Sequence, residues 1–498
     1  MADLILNNLS LILPETVLTV TVMLVVLAHL FDRRDDTVVH YLSLLGLLGA
    51  MYALTGKMGE NLSAFNGMLA VDPFSLFFKL VILLSTVVVV LMSRHSAEVR
   101  AERGLQGEYY FLLLSMALGM MFMVGASNLL MMYLALEMTS LTSYVAAGFT
   151  RKAKDSAEAS LKYLLYGAFS SGVMLYGISI LYGLTGTLHL AGINQALMQG
   201  SVNGLGLAVS SLLIMVGFGY KISAVPFHYW TPDVYEGAPV TVTAFLSVAS
   251  KAAGFAMMMR AFAVMFTDTA AQLPAGAWAF VQGIPLQHVL VVLAVATMTL
   301  GNLVALWQDN VKRMLAYSSI AQAGYMLLGV LVLGHDGAAA VMVYFAVYLF
   351  MNLGAFLVVM LVANTIGSEH VDDYKGLGKK APLLSVAMAV FLVSLTGLPP
   401  TAGFIGKWMI FLSLINAKMV GVAVIGVINS VVSLYYYVRV IRNMFLREQE
   451  KPTGTVFRLP AAQVILLLSL LIPTLYFGLF FNELVEFAQY SVTMFGVR

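Results

Sequence analysis

The sequence predicts an all-α polytopic membrane protein of about fourteen transmembrane helices, including two inverted five-helix repeats. Three observations lead there. The 498 residues are 60% hydrophobic and 10% charged, whereas a soluble chain carries about 25% charged residues. Apolar runs of about 20 residues, enough to cross roughly 30 Å of hydrocarbon, recur along almost the whole length. Positive charge gathers in every second loop.

The runs centre near Val20, Leu47, Leu83, Leu118, Leu136, Val173, Leu213, Ser250, Ala296, Gln322, Leu349, Pro399, Ile428 and Leu468. The opening stretch, MADLILNNLSLILPETVLTV, has neither a basic leader nor a small-residue cleavage site. It reads as the approach to the first span. Basic residues follow the odd-numbered helices: Arg33 and Arg34 after the first, Arg94, Arg100 and Arg103 after the third, and Arg151, Lys152 and Lys154 after the fifth. Lys312 and Arg313 follow the ninth, Lys375, Lys379 and Lys380 the eleventh, and Arg442, Arg447 and Lys451 the thirteenth. The even-numbered loops hold little beyond Lys57 and Lys418. One face is therefore expected to be cytoplasmic, with both termini on the outer face.

Two hydrophobic segments are interrupted. The seventh breaks at Pro226 in GYKISAVPFHYWTPDVYEGAP, and the twelfth at Pro399 and Pro400 in LTGLPPTAGFIGKW. They stand five helices apart, and five is odd, so a repeated five-helix unit must invert. Paired broken helices in two halves point to a transport site. Breaking a helix frees backbone groups that lipid cannot satisfy, so each break is expected to be buried in protein or to line a wet cavity. The expected organisation is a three-helix segment over 1–105, a first repeat (helices 4–8) over 106–270, a second (helices 9–13) over 271–450, and a last helix over 451–498.

A charge at mid-membrane costs about 2.5–3.5 kcal/mol on insertion scales, so each one retained needs a reason. Four stand at such depths: Glu137 in LEMTS, Lys221 in GFGYKIS, Lys251 in SVASKAAGF and Lys407 in GFIGKW. Structural ion pairing is the alternative to a proton role. Burial makes a lysine release its proton and a nearby carboxylate makes it hold on, so a carboxylate that approaches and retreats turns a lysine into a relay. Lysine suits this where arginine, which stays charged, does not. Lys162 lies nearer a helix start and can instead reach the basic side. Lys79 and Arg260 read as snorkelling residues. His228, beside the first break, could satisfy freed backbone groups or pass protons. Tyr344 and Tyr348 read as packing residues that can also hold water between Lys251 and Lys407. The methionines read as adaptable packing.

Other chemistries lack their residues. The chain has no cysteine, so cysteine-ligated Fe–S clusters and disulfides are excluded. No nucleotide-binding glycine motif appears, no pair of mid-membrane histidines suggests a haem clamp, and the net charge of +2 suggests no nucleic acid.

The segments ALEMTSLTSYVAAGF, EASLKYLLYGAFSSGVMLYGISILYGLTGT, GFGYKISAVPFHYWTPDVYEGAPVTVTAFLSVASKAAGF, NVKRMLAYSSIAQAGYMLLG and LTGLPPTAGFIGKW together resemble the antiporter-like subunits of respiratory complex I. The resemblance runs from about helix 3 to helix 13. It implies two half-channels joined by a line of buried charges. By motif, Glu137 resembles the carboxylate that modulates the pump lysine, Lys221 that lysine, Lys251 the connecting lysine, Lys407 the terminal residue and Lys162 the helix-6 lysine. The second repeat has no acid matching Glu137. The largest paralogue ends in a long lateral helix, whereas this chain stops soon after helix 14; the middle one carries glutamate where Lys407 stands. The resemblance further implies neighbouring membrane-arm subunits as partners, a bacterial inner membrane as location, and no cofactor on this chain. NADH, FMN, Fe–S clusters and quinone belong to other subunits in that reading. A subunit of a multi-subunit cation/proton antiporter shares the same motifs. A quinone- or haem-binding redox protein and a passive helical scaffold are the rivals from other classes.

Overall fold

The computed structural model describes residues 2–31, 36–200, 202–268, 286–332, 334–448, 457 and 459–494. Arg33, Arg34 and Lys451 lie outside the described residues. Thirteen described helices are long and apolar enough to cross a membrane. In chain order, helices 1 to 6 are Leu13–Phe31, Thr37–Thr55, Pro73–Ser93, Gln106–Gly125, Leu129–Ala147 and Lys154–Thr185. Helix 7a (Gly204–Ile222) is continued after a break by the short helix 7b (Trp230–Gly237), and helix 8 is Val240–Phe266. Helices 9, 10 and 11 are Leu286–Ala305, Val311–Val332 and His335–Ile366. The next span is made of two shorter pieces, helix 12a (Pro382–Thr396) and helix 12b (Ala402–Asn416). Helix 13 (Val420–Leu446) and helix 14 (Ala461–Leu479) follow. Counting the broken twelfth, fourteen spans lie where the apolar runs place them.

Burial sorts these helices into a centre and a rim. Helix 8 is buried along its whole apolar window, and helices 10 and 11 along 89% of theirs, against 28% for helices 1 and 14. A helix hydrophobic all round belongs in a core or in lipid, and only packing distinguishes the two. The three central helices carry Lys251, Gln322, Tyr344 and Tyr348.

The internal repeat is visible in the backbone. Helices 6 and 11 are each 32 residues long. Each ends at a glycine, Gly186 or Gly367, with φ of 71°, a left-handed conformation that glycine adopts without strain. At the start of helix 5, Asn128 bridges to His189; at the start of helix 10, Asn310 bridges to His370. A broken helix follows in each unit. Because the unit has five helices, the second copy enters from the opposite face.

The backbone groups freed at the breaks find partners inside the chain. In the first, the Val225 amide donates to Thr297 Oγ1 at 3.0 Å, the Ala224 amide to the Gly219 carbonyl at 2.8 Å, and Trp230 Nε1 to the Tyr220 carbonyl at 3.1 Å. In the second, the Gly403 amide donates to Ser394 Oγ at 3.0 Å, and the Leu395 and Thr396 carbonyls accept from side chains described below. The rings of Pro226, Pro399 and Pro400 are themselves exposed on this chain, which differs from the expected burial. Proline has no amide hydrogen to satisfy, so its ring can face out while the polar groups around it turn inward.

Two residues read as snorkellers are instead buried in ion pairs. Arg260 on helix 8 forks onto Asp72 at 2.6 and 2.8 Å, and its Nε donates to the Val124 carbonyl at 3.1 Å. Asp72 also caps helix 3, accepting from the Ser75 amide at 2.8 Å in a reciprocal capping box, which satisfies the otherwise orphaned first-turn amides. Lys79, two turns into helix 3, pairs with Glu15 at 2.7 Å. Both pairs sit at the end of helix 4, with the Lys79 ammonium close to Gly125. They tie helices 1 and 3 of the N-terminal segment to helices 4 and 8.

Removing one partner of a buried pair costs about 3–5 kcal/mol, whereas replacing both is often nearly neutral. Arg260→Met is therefore expected to lower the temperature at which the detergent-solubilised protein unfolds. Asp72→Asn combined with Arg260→Met, which keeps a capping oxygen, should recover most of the loss. A double variant as unstable as the single one would show that the charge pair is not the source.

Candidate functional site

Four ionisable residues lie along the middle of the bundle, and each is placed by a local feature of its helix. Glu137 sits eight residues into helix 5, with carboxylate oxygen Oε1 buried and without a hydrogen-bond partner. Lys221 is the last residue but one of helix 7a, which closes where Ser223 turns left-handed at φ 62°. Its ammonium reaches Ser140 Oγ at 3.5 Å, three residues beyond Glu137 on helix 5. Glu137 and Lys221 are not ion-paired in this conformation, although they share that helix surface. Gly254 on helix 8 makes the approach possible: a Cβ there would lie 3.1 Å from Lys221 Cγ and 3.0 Å from Ile222 Cγ2.

Lys251 lies one turn before Gly254 on helix 8. The five residues before it, Leu246–Ser250, form a π-turn, which advances the following residues around the axis relative to a plain α-helix. The fully buried lysine donates to Ser319 on helix 10, at 2.5 Å to Oγ and 2.8 Å to the carbonyl oxygen. From there polar groups continue without leaving the core. Ser318, adjacent to Ser319 in the chain, shares a 2.5 Å hydrogen bond with the Tyr437 hydroxyl of helix 13. Gln322, one turn further along helix 10, donates to Tyr437 at 3.3 Å and to the Leu395 carbonyl at 2.8 Å. The next carbonyl, Thr396, accepts from Lys407 Nζ at 2.9 Å.

Lys407 sits in helix 12b with a second bond to Ser430 Oγ at 3.0 Å and its ammonium 4.2 Å from the centroid of the Tyr325 ring. Its stem lies over Gly397, whose φ of 88° and lack of a side chain leave room for it. Neutral groups and a ring face thus satisfy a buried cation, an arrangement favourable in a dry site. Tyr344 packs where Gly406 has no Cβ and donates its hydroxyl to Gln322. The Tyr348 hydroxyl is buried near Ser319 but completes no hydrogen bond.

Two candidates lie elsewhere. Lys162 is 37% exposed at the end of the bundle that carries the basic loops, paired with Glu158 at 2.6 Å and Asp233 at 2.5 Å. Arg313 joins the same cluster, bonding Asp233 at 2.7 Å and Glu236 at 2.6 Å. The two acids of the broken-helix stretch are thereby accounted for. His228 is buried beside the first break with Nδ1 unpartnered and its carbonyl accepting from the Thr231 amide at 2.9 Å.

Ser318, Ser319, Gln322, Tyr437 and Ser430 escape a reading of the sequence because they carry no charge. The only sign of them is polar residues on otherwise apolar helices. Gln322→Leu would leave a buried carbonyl and a tyrosine hydroxyl unpaired, at a cost of about 1–3 kcal/mol. A lower unfolding midpoint of the solubilised protein checks this; an unchanged midpoint would mean the network contributes nothing to folding.

The chain matches two protein-family descriptions: NADH:quinone oxidoreductase/Mrp antiporter, TM, over residues 126–433, and NAD(P)H-quinone oxidoreductase subunit 2 N-terminal, over residues 1–94. It is 48% identical over 493 residues to NADH-quinone oxidoreductase subunit N 2 of Chloroherpeton thalassium, covering 98% of this chain and 95% of that protein. A chain of respiratory complex I from Thermus thermophilus with bound Aureothin superposes with a TM-score of 0.78 at 33% identity, over 95% of this chain and 98% of that one. A chain of the Mrp complex from Dietzia sp. shares the fold, with a TM-score of 0.84 at 22% identity over 99% of this chain and 98% of its own. The protein is thus a multi-pass membrane protein that belongs to the transmembrane subunits of the NADH:quinone oxidoreductase/Mrp antiporter family, among the N subunits of NADH-quinone oxidoreductase.

Proposed function

We propose that this chain translocates protons in the membrane arm of a respiratory NADH–quinone oxidoreductase, through Lys221, Lys251 and Lys407. The observation that carries the reading is the buried polar line from Lys251 through Ser319, Ser318, Tyr437 and Gln322 to the carbonyls that hold Lys407. Hydroxyls can both donate and accept, so the Lys251–Ser319 and Ser318–Tyr437 links can pass a proton by reversing their hydrogen bonds. Gln322 and the carbonyls position these groups.

Glu137 is the switch in this reading. Its carboxylate lies on the same helix surface as Ser140, the group that Lys221 reaches, without pairing to the lysine. A movement that brings carboxylate and ammonium together favours the charged lysine; separation releases the proton toward Lys251. Energy from quinone reduction on other subunits would drive that movement. Lys162, held by Asp233 and Glu158, supports the entrance from the basic side, and His228 lines the break.

The chain has no cysteine, in keeping with NADH, FMN, Fe–S clusters and quinone residing on partner subunits. The alternating basic loops support an orientation in a bacterial inner membrane with both termini outside. The organisation that fits is an N-terminal segment, two repeats and a final helix.

In the assembled complex reconstituted into vesicles, Lys221→Ala should lower both electron transfer and proton pumping by about tenfold or more, with subunit content unchanged on a gel. An intact complex that pumps at the parental proton-to-electron ratio would overturn the relay. Gly254→Val, which introduces no charge change, should push the Lys221 stem off its seat and reproduce most of the defect, with Gly254→Ala milder. Normal pumping in Gly254→Val would show that the position of Lys221 against helix 8 is immaterial.

A further inference from the structure

Building on the relay reading above, we propose that Tyr144 is a further proton-carrying residue of this chain, handing Lys221 the proton that it takes up. Helix 5 places Glu137, Ser140 and Tyr144 on one face, at intervals of three and four residues. A long side chain on a helix leans back over the preceding turn, which carries the Tyr144 hydroxyl toward Ser140. It lies there beside the hydroxyls of Ser140 and Tyr220 and close to Glu137.

Three groups on that face hold bonding capacity in reserve. Glu137 Oε1 is buried and accepts no hydrogen bond, and the Tyr144 hydroxyl is buried and completes none. Ser140 Oγ accepts from Lys221 Nζ at 3.5 Å and donates to no group among the described residues. A buried polar group without a partner costs free energy, and phenylalanine at 144 would fill the same space without that cost. The hydroxyl is also given room: a Cβ on Gly167 of helix 6 would overlap it and lie 2.6 Å from the Tyr220 hydroxyl. Helix 6 thus makes space for an oxygen that contributes no bond to the fold.

What such a hydroxyl can do is transfer a proton, since it both donates and accepts. Tyr144 gives its proton to Ser140 Oγ as Ser140 gives its own to a neutral Lys221 Nζ. Tyr144 then regains a proton from the helix-6 side, so one proton enters and one remains on the lysine. On that side Tyr163, the neighbour of Lys162 in the chain, packs its ring edge-on to Tyr144 with centroids 4.9 Å apart. The Tyr163 hydroxyl is likewise buried and unpartnered. Uncommitted hydroxyls therefore begin next to the Lys162 cluster and end at the one serine that Lys221 reaches.

The test compares Tyr144→Phe, Gly167→Ala and Lys221→Ala in the assembled complex, with electron transfer and proton pumping in vesicles measured per complex and the unfolding midpoint measured after solubilisation. Tyr144→Phe keeps the ring and deletes only an oxygen that completes no hydrogen bond. Its midpoint should not fall, while turnover and pumping drop about tenfold. Gly167→Ala, which displaces the hydroxyl without removing it, should lower both rates in the same direction; if that variant does not assemble, Tyr144→Phe decides alone. A lower midpoint in Tyr144→Phe would mean that the hydroxyl serves the fold, and would overturn the proposal. Parental rates in Tyr144→Phe beside a defective Lys221→Ala would overturn the role of Tyr144 and leave the lysine relay standing. Parental rates in Lys221→Ala would overturn the relay, and the role of Tyr144 with it.

Discussion

A cation in the middle of a bilayer has no water to turn to, and the centre of this protein is organised around that constraint. Lys221, Lys251 and Lys407 reach the core with long apolar stems, and their ammonium groups bond to hydroxyls, carbonyls and a ring face. A fixed carboxylate would hold each cation tightly and lock it. Neutral ligands satisfy the charge without locking it. The most deeply buried helices, 8, 10 and 11, carry Lys251, its partner Ser319 and Tyr344, which bonds Gln322. Helices 5, 12a and 13 supply the hydroxyls and carbonyl that hold Lys221 and Lys407. Two glycines matter for the same reason: Gly254 on helix 8 and Gly406 on helix 12b give up side chains so that Lys221 and Tyr344 can lie against a neighbouring backbone.

Carboxylate-paired cations are placed away from this line. Arg260 with Asp72, and Lys79 with Glu15, clamp the N-terminal segment to the bundle at one end. Lys162 and Arg313 with Asp233 and Glu236 tie helices 6, 7b and 10 at the other. Strong pairs thus hold the two ends, while weaker, exchangeable bonds run through the middle. Such a division suits the proposed relay, in which central groups change partners within a fixed frame.

The internal repeat shows how one backbone plan serves two uses. Helices 6 and 11 match in length and in their terminal glycines, and helices 7 and 12 both break. The side chains diverge. Lys221 precedes its break and faces helix 5, which carries Glu137; Lys407 follows its break and is held by carbonyl, hydroxyl and ring. Repetition fixes the helix geometry, and the ligands of the two lysines differ within it.

The sequence by itself determined the number and position of the spans, the two breaks and the depth of the charges, because hydrocarbon thickness and the cost of charge act on each segment alone. It also carried the resemblance that named Glu137, Lys221, Lys251 and Lys407. Only the tertiary structure decided what each charge faces. Depth along a helix can be counted, but the side of the helix and the partner across from it cannot. For that reason Arg260 and Lys79 read as snorkelling residues and proved to be buried pairs, and Lys162, grouped by motif with the central lysines, lies in a rim cluster. For that reason too Ser319, Gln322 and Tyr437 show in the sequence only as polar residues on apolar helices: they matter by where helices 10 and 13 converge on Lys251 and the helix-12 break, a property that no single helix possesses.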